Sequence, residues 1–152
     1  MEANNIDYSK ESVLVVDDNL HFRETLVELL SVLGFETSST SSGPDALEML
    51  KENQYTFLLA DMKMPDMDGL RLIEQVGQEY PEVNIIAMTG FSEGYRYMDV
   101  INAGASDFIK KPFESDELEA KVKRIINERD LRTELSRLSI TDSLTGLFNQ
   151  RH

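Results

Sequence analysis

Cysteine and tryptophan are absent from this 152-residue chain, and only four prolines and eight glycines occur. Without cysteine, disulfides and thiolate metal sites are excluded. Positive charge is also scarce: 15 Lys and Arg stand against 28 Asp and Glu, for a formal charge of -13. Phosphate backbones repel such a surface, which argues against direct contact with nucleic acid. No uninterrupted apolar segment approaches the length that crosses a bilayer, and the polar, mildly acidic residues 1–12 lack the basic start and apolar stretch of a signal peptide. The expectation is a soluble, cytoplasmic protein with no membrane partner. Its length allows one domain with a respectable core, plus a small appendage.

What the chain does have is a set of short apolar runs, each ending in a chemically active side chain. Residues 13–16 run into Asp17-Asp18, 56–60 into Asp61, 83–88 into Thr89-Gly90, and 107–110 into Lys111-Pro112. The valine-rich first run has no polar alternation, the pattern of a strand covered on both faces. Between the runs lie helical stretches. Phe22, Leu26, Leu29, Leu30 and Leu33 recur at spacings of three and four before the stop at Gly34. Gly43-Pro44 opens a helix with Ala46, Leu47 and Leu50 on its buried stripe, ending near Asn53. Asp68 caps a third through Leu72, Ile73 and Val76. A weaker strand is expected over 35–40, a helix weakened by Gly94 over 92–103, and a short strand around Phe108-Ile109. Strand and helix alternate five times, which implies an α/β fold with a parallel sheet and helices on both faces.

In such a sheet, three carboxylates, a hydroxyl and an ammonium converge at the carboxyl edge, where open α/β sheets bind ligands. Carboxylates brought together repel unless a cation compensates them. A hard, oxygen-rich site suits Mg²⁺ (or Mn²⁺) bound through a few carboxylates and a phosphate. Asp61 is then a candidate nucleophile for a phosphoryl group, Lys111 its charge partner and Thr89 a hydroxyl donor.

The segments Val15-Val16-Asp17-Asp18-Asn19, Asp61-Met62-Lys63-Met64-Pro65-Asp66-Met67-Asp68-Gly69, Met88-Thr89-Gly90 and Lys111-Pro112-Phe113 closely resemble the signature of two-component response-regulator receiver domains. The likeness covers residues 12 to about 126, with every motif in order. It implies a flavodoxin-like (βα)5 doubly wound sheet with strand order 2-1-3-4-5 and an extended C-terminal helix. It further implies that Asp61 accepts a phosphoryl group from a sensor histidine kinase or phosphotransfer protein. Asp17, Asp18, Asp61 and the backbone carbonyl of Lys63 would form the metal set, Asp17 chiefly through water. Thr89, Lys111 and the backbones of Met62 and Gly90 would meet the phosphate. Thr89 and Phe108 match the switch pair, although Phe108 lacks the hydroxyl of the tyrosine often found there. Lys63 and Phe91 flank the site as a bulky gate expected to slow hydrolytic water.

Beyond the domain, Leu131, Leu135 and Leu138 continue an apolar stripe in a charged background, but the step of six from Ile125 to Leu131 puts the two stripes out of register. The organisation expected is a flexible 1–11, a receiver over 12–126, a helical, coiled-coil linker over 127–140 with those leucines as a homodimer seam, and a truncated start of a further domain over 141–152. The last segment, from Ile140 through Asp142, Leu144, Thr145, Gly146, Leu147 and Asn149 to His152, is similar to the opening of GGDEF diguanylate cyclase domains, with Gln150 in place of the usual first arginine. The GTP-binding loop itself is absent, so the fragment is not expected to be an enzyme.

Blander readings compete. Asp18 and Asn19 are also what caps a helix, Asp61 is also a turn residue, and Lys111 is also a solvated charge. Asp66-Met67-Asp68-Gly69 mimics a haloacid-dehalogenase-like phosphatase, but Pro65 and a loop separate Asp66 from its strand, which favours a turn and a cap. Met62, Met64 and Met67 are expected to pack under their loop rather than bind a soft metal. Of Tyr95 and Tyr97, on different helical faces, at least one is expected to be exposed and available to a partner. A receiver that signals by docking alone is the remaining rival, though it would have no need of repelling carboxylates.

Overall fold

A computed structural model describes residues 6–64, 67–90 and 97–149, apart from the side chains of 97 and 139–149. Five parallel strands, β1 (Ser12–Val16), β2 (Glu36–Thr40), β3 (Phe57–Asp61), β4 (Asn84–Thr89) and β5 (Asp107–Lys110), stand in the order β2-β1-β3-β4-β5. The intervening helices are α1 (Leu20–Leu33), α2 (Gly43–Glu52), α3 (Gly69–Glu79) and α4 (Tyr97–Ala103). This is the doubly wound, flavodoxin-like order expected from the sequence. Residues 92–96 of the expected fourth helix lie outside the described residues, as do Tyr95 and the side chain of Tyr97.

The local signals act as the chemistry requires. Asn19 is the N-cap of α1, its side chain accepting from the Phe22 N–H, and Gly34 ends the helix at a φ of 112°, a conformation open to glycine at little cost. Ser42 caps α2 with Pro44 in its first turn, and Asp68 caps α3. The strands that looked covered on both faces are: residues 13–16 of β1 and the whole of β3 are buried. The polar strand β2 is at the edge, where one side of its ladder meets solvent, and its sequence pattern is correspondingly weak.

Leu14, Val16, Leu58 and Ala60 from the sheet join Ala46 and Leu50 of α2, Leu72, Ile73 and Val76 of α3, and Val100 of α4 in one core cluster. Alternate residues Val13, Val15, Phe57 and Leu59 are equally buried, and α1 packs against β1 and β2. Within the segment 1–11, Tyr8–Lys10 form a short 3-10 turn, and the buried Tyr8 ring stacks on Phe35 at 4.4 Å between centroids. Met62 and Met64 are buried and Met67 is half-buried, as expected for thioethers packed under a loop.

The chain divides into two compact units, residues 1–115 and 116–152. The second is carried by α5 (Ser115–Asn149), one unbroken helix that passes through the points where linker and further domain were expected to begin. Leu118, Val122, Ile125 and Ile126 are buried, whereas Leu131, Leu135 and Leu138 are each more than half exposed. Pairs such as Glu119 with Lys123 and Arg124 with Glu128 lace its surface at one-turn spacing. Among the described residues, no helix is long and apolar enough to cross a membrane.

Candidate phosphoryl and metal site

Register in the parallel sheet converts sequence motifs into a site. Val16 pairs with Ala60, Asp61 with Met88, and Thr89 with Lys110, so the residues at and just beyond these positions share one sheet edge. Asp17 leaves β1 with its N–H donating to the Thr40 carbonyl at 3.2 Å. Met62 donates to the Met88 carbonyl at 3.0 Å and Lys111 to the Thr89 carbonyl at 2.7 Å, carrying the ladder one step past the strand ends. The Lys111-Pro112 peptide is cis.

Asp17, Asp18 and Asp61 meet there, each offering a carboxylate oxygen within 4.8 Å of the others. Asp17 is wholly buried, Asp61 nearly so, and Asp18 is exposed. Lys111 reaches between them, its Nζ 2.9 Å from Asp17 Oδ2 and 3.6 Å from Asp61 Oδ2. Two backbone donors also turn inward. Asn19 N–H donates to Asp17 Oδ1 at 2.9 Å, and Lys63 N–H to Asp61 Oδ1 at 3.4 Å. One ammonium offsets only one of three negative charges, so the site holds surplus charge on hard oxygen donors. That composition fits a divalent cation of the Mg²⁺ kind.

Thr89 is buried at the end of β4, and Gly90 follows it half-buried. Phe108, half-buried on β5, packs against the core cluster. Gly69 lies against the back of the Asp61 loop, donating to the Met62 carbonyl at 3.1 Å. Pro65, Asp66 and Phe91 lie outside the described residues, so neither the phosphatase-like Asp66 nor the expected gate at Phe91 has a described position. Asn19, rather than Asp18, is the helix cap, and its N–H also donates to the acid cluster.

Three residues at the site had no role assigned to them in the sequence, although Phe113 closes one of the motifs. Phe22, read as part of the core stripe of α1, places its ring centroid 4.3 Å from Lys111 Nζ. Phe113 meets that ring edge-on at 5.7 Å. Arg23 donates from Nη1 to the Asp17 carbonyl at 2.7 Å. Their sequence signal is slight, because an aromatic in the first turn of an amphipathic helix reads as core until a cation is seen beside it.

Known proteins with this arrangement are numerous. The transcriptional regulatory protein CrdR of Helicobacter pylori is 31% identical over 120 residues, covering 78% of this chain and 56% of that protein. The DNA-binding transcriptional regulator NtrC of Escherichia coli is 31% identical over 138 residues, covering 91% of this chain and 29% of NtrC. The crystal structure of a CheY-like response regulator receiver domain protein from Methanospirillum hungatei matches with a TM-score of 0.76 at 26% identity, covering 80% of this chain and 98% of that one. The chain spans little more than half the length of CrdR and less of NtrC. Residues 13–123, which carry the whole acid cluster and its lysine, match the family described as response regulator receiver domain, and this chain belongs to that family.

Proposed function

We propose that this chain is the phosphoaccepting receiver of a two-component relay, with Asp61 as acceptor. The observation that carries the reading is Lys111 Nζ shared between Asp17 and Asp61 beside a third carboxylate. An Asp61 carboxylate oxygen attacks the phosphorus of a donor phosphohistidine. An O–P bond forms, the N–P bond breaks, and its electron pair stays on the donor imidazole. Lys111 then pairs with the new phosphoryl oxygens, and Thr89 with the N–H groups of Met62 and Gly90 supplies donors to them. Asp17, Asp18, Asp61 and the Lys63 carbonyl would hold Mg²⁺ or Mn²⁺, which when bound neutralises charge on the transferring oxygens. The donor is a sensor histidine kinase or a phosphotransfer protein. Thr89 and Phe108 form the switch that biases two arrangements of the domain.

The output is the finer part of the proposal. Asp142, Leu144, Thr145, Gly146, Leu147 and Asn149 favour a diguanylate cyclase, making cyclic di-GMP, reached through a linker over 127–140 that pairs at Leu131, Leu135 and Leu138 in a homodimer. The names of CrdR and NtrC favour a transcriptional output instead. The tail motif belongs to this chain and supports the cyclase reading. Incubation with acetyl phosphate and Mg²⁺ is expected to add about 80 Da, one phosphoryl unit, to the intact mass. Asp61→Asn is expected to abolish that adduct; an undiminished adduct in the variant would overturn the reading.

A further inference from the structure

Lysine is a point charge on a flexible four-carbon stem, and nothing in its own covalent geometry fixes where the ammonium sits. In this site two carboxylates compete for it unequally, Asp17 at 2.9 Å and Asp61 at 3.6 Å. A third attraction comes from the face of the Phe22 ring, 4.3 Å away at its centroid and well within the range of cation–π contact. Phe113 stands perpendicular to that ring at an interplanar angle of 89°, the favourable edge-to-face arrangement.

The backbone beneath the ring is equally restrained. Phe22 N–H donates to Asn19 Oδ1 at 2.9 Å, and the next residue, Arg23, donates its N–H to the Asn19 carbonyl at 2.9 Å. Its guanidinium also holds the Asp17 carbonyl. The loop that carries Asp17 and the helix turn that carries Phe22 therefore form one braced unit, and Lys111 reaches it from the far side of Asp61.

We infer that Phe22, braced by Phe113, is a positioning residue: its ring face fixes the Lys111 ammonium between Asp17 and Asp61, and phosphoryl uptake at Asp61 depends on an aromatic ring at this position. The inference rests on the acceptor role of Asp61 for its kinetic consequence but not for its geometry. Leucine would fill much of the same half-buried volume without a negative face, whereas tyrosine would keep the face.

The test pairs Phe22→Leu and Phe22→Tyr with Lys111→Gln. In unphosphorylated protein, the ring current is expected to shift the Lys111 ε-methylene protons upfield, with that shift lost in Phe22→Leu and kept in Phe22→Tyr. With acetyl phosphate and Mg²⁺, Phe22→Leu is expected to take up the phosphoryl group roughly three to ten times more slowly, and Phe22→Tyr at close to the wild-type rate. In the Lys111→Gln background, Phe22→Leu is expected to add no further slowing, which a merely structural role would not predict. Should Phe22→Leu melt at room temperature, Phe22→Met supplies the same comparison. An unshifted ε-methylene signal in the wild type, a wild-type rate in Phe22→Leu, or equal slowing with and without Lys111 would overturn the inference. Wild-type protein that takes up no phosphoryl group would instead overturn the acceptor role, and the methylene shift would still decide where the ammonium lies.

Discussion

Lys111 is the residue on which the electrostatics of the site turn. Asp17 is wholly buried, and among the described residues its carboxylate accepts from Lys111 and the Asn19 N–H, so removing the ammonium leaves a buried charge beside two others. Lys111→Met is expected to destabilise the metal-free protein by about 1–3 kcal/mol, below the usual cost for breaking a fully buried pair because solvent reaches this lysine. Added Mg²⁺ is expected to shrink that loss, since acids relieved of the competing ammonium bind the cation more tightly and the folded variant gains more by mass action than its parent. Urea unfolding in chelator and in millimolar Mg²⁺ checks both statements; a variant as stable as its parent in chelator would show the acids to be compensated otherwise. The acids and the lysine were legible in the sequence because each ends an apolar run. Phe22 was not, because its role depends on where the distant Lys111 comes to lie, and Arg23 was not, because its bond to the Asp17 carbonyl follows no apolar period or motif.

At the scale of elements, α3 is seated against the loop that follows Asp61. A Cβ at Gly69 would lie 2.5 Å from the Met62 Cα and 2.7 Å from the Asp61 carbonyl oxygen, both backbone atoms that cannot swing aside. Gly69→Ala is therefore expected to cost about 1–3 kcal/mol and to slow phosphoryl uptake by displacing the Asp61 loop. Gly77, further along the same helix, is the control. A Cβ there meets its nearest neighbour at 3.6 Å, ordinary contact, and Gly77→Ala is expected to stabilise by up to about 1 kcal/mol through helix propensity alone. Denaturant titration of the two variants checks the opposite signs. Strands β1, β3 and β4 and the caps at Asn19, Ser42 and Asp68 follow from local sequence, since apolar runs and capping side chains act over a few residues. Strand β2 was legible only faintly, because an edge strand need not be apolar, and β3 begins at Phe57, one residue into the run expected over 56–60. The Thr56 backbone still donates to the Ser12 carbonyl at 2.8 Å and accepts from the Asn84 N–H at 2.9 Å, and its side chain also bonds the Ser12 backbone.

At the scale of the whole molecule, α5 runs well past Ile126, the last buried residue among those whose side chains are described, and leaves Leu131, Leu135 and Leu138 in solvent. Under the dimer proposal these leucines are the seam, so Leu131→Asp with Leu135→Asp is expected to lower the size-exclusion mass of the beryllofluoride- and Mg²⁺-treated protein from dimer to monomer. An unchanged mass would move the interface elsewhere. The sequence by itself determined the elements, their alternation, and which acids and which lysine stand at the ends of apolar runs, because apolar periodicity, capping and strand-end placement are written in neighbouring residues. Only the tertiary structure decided which oxygens face one another, that Lys111 sits nearer Asp17 than Asp61, and that the Phe22 ring lies against its ammonium. Those distances depend on the register of four parallel strands at once, and register is set by the packing of the whole sheet, which no local stretch of chain contains.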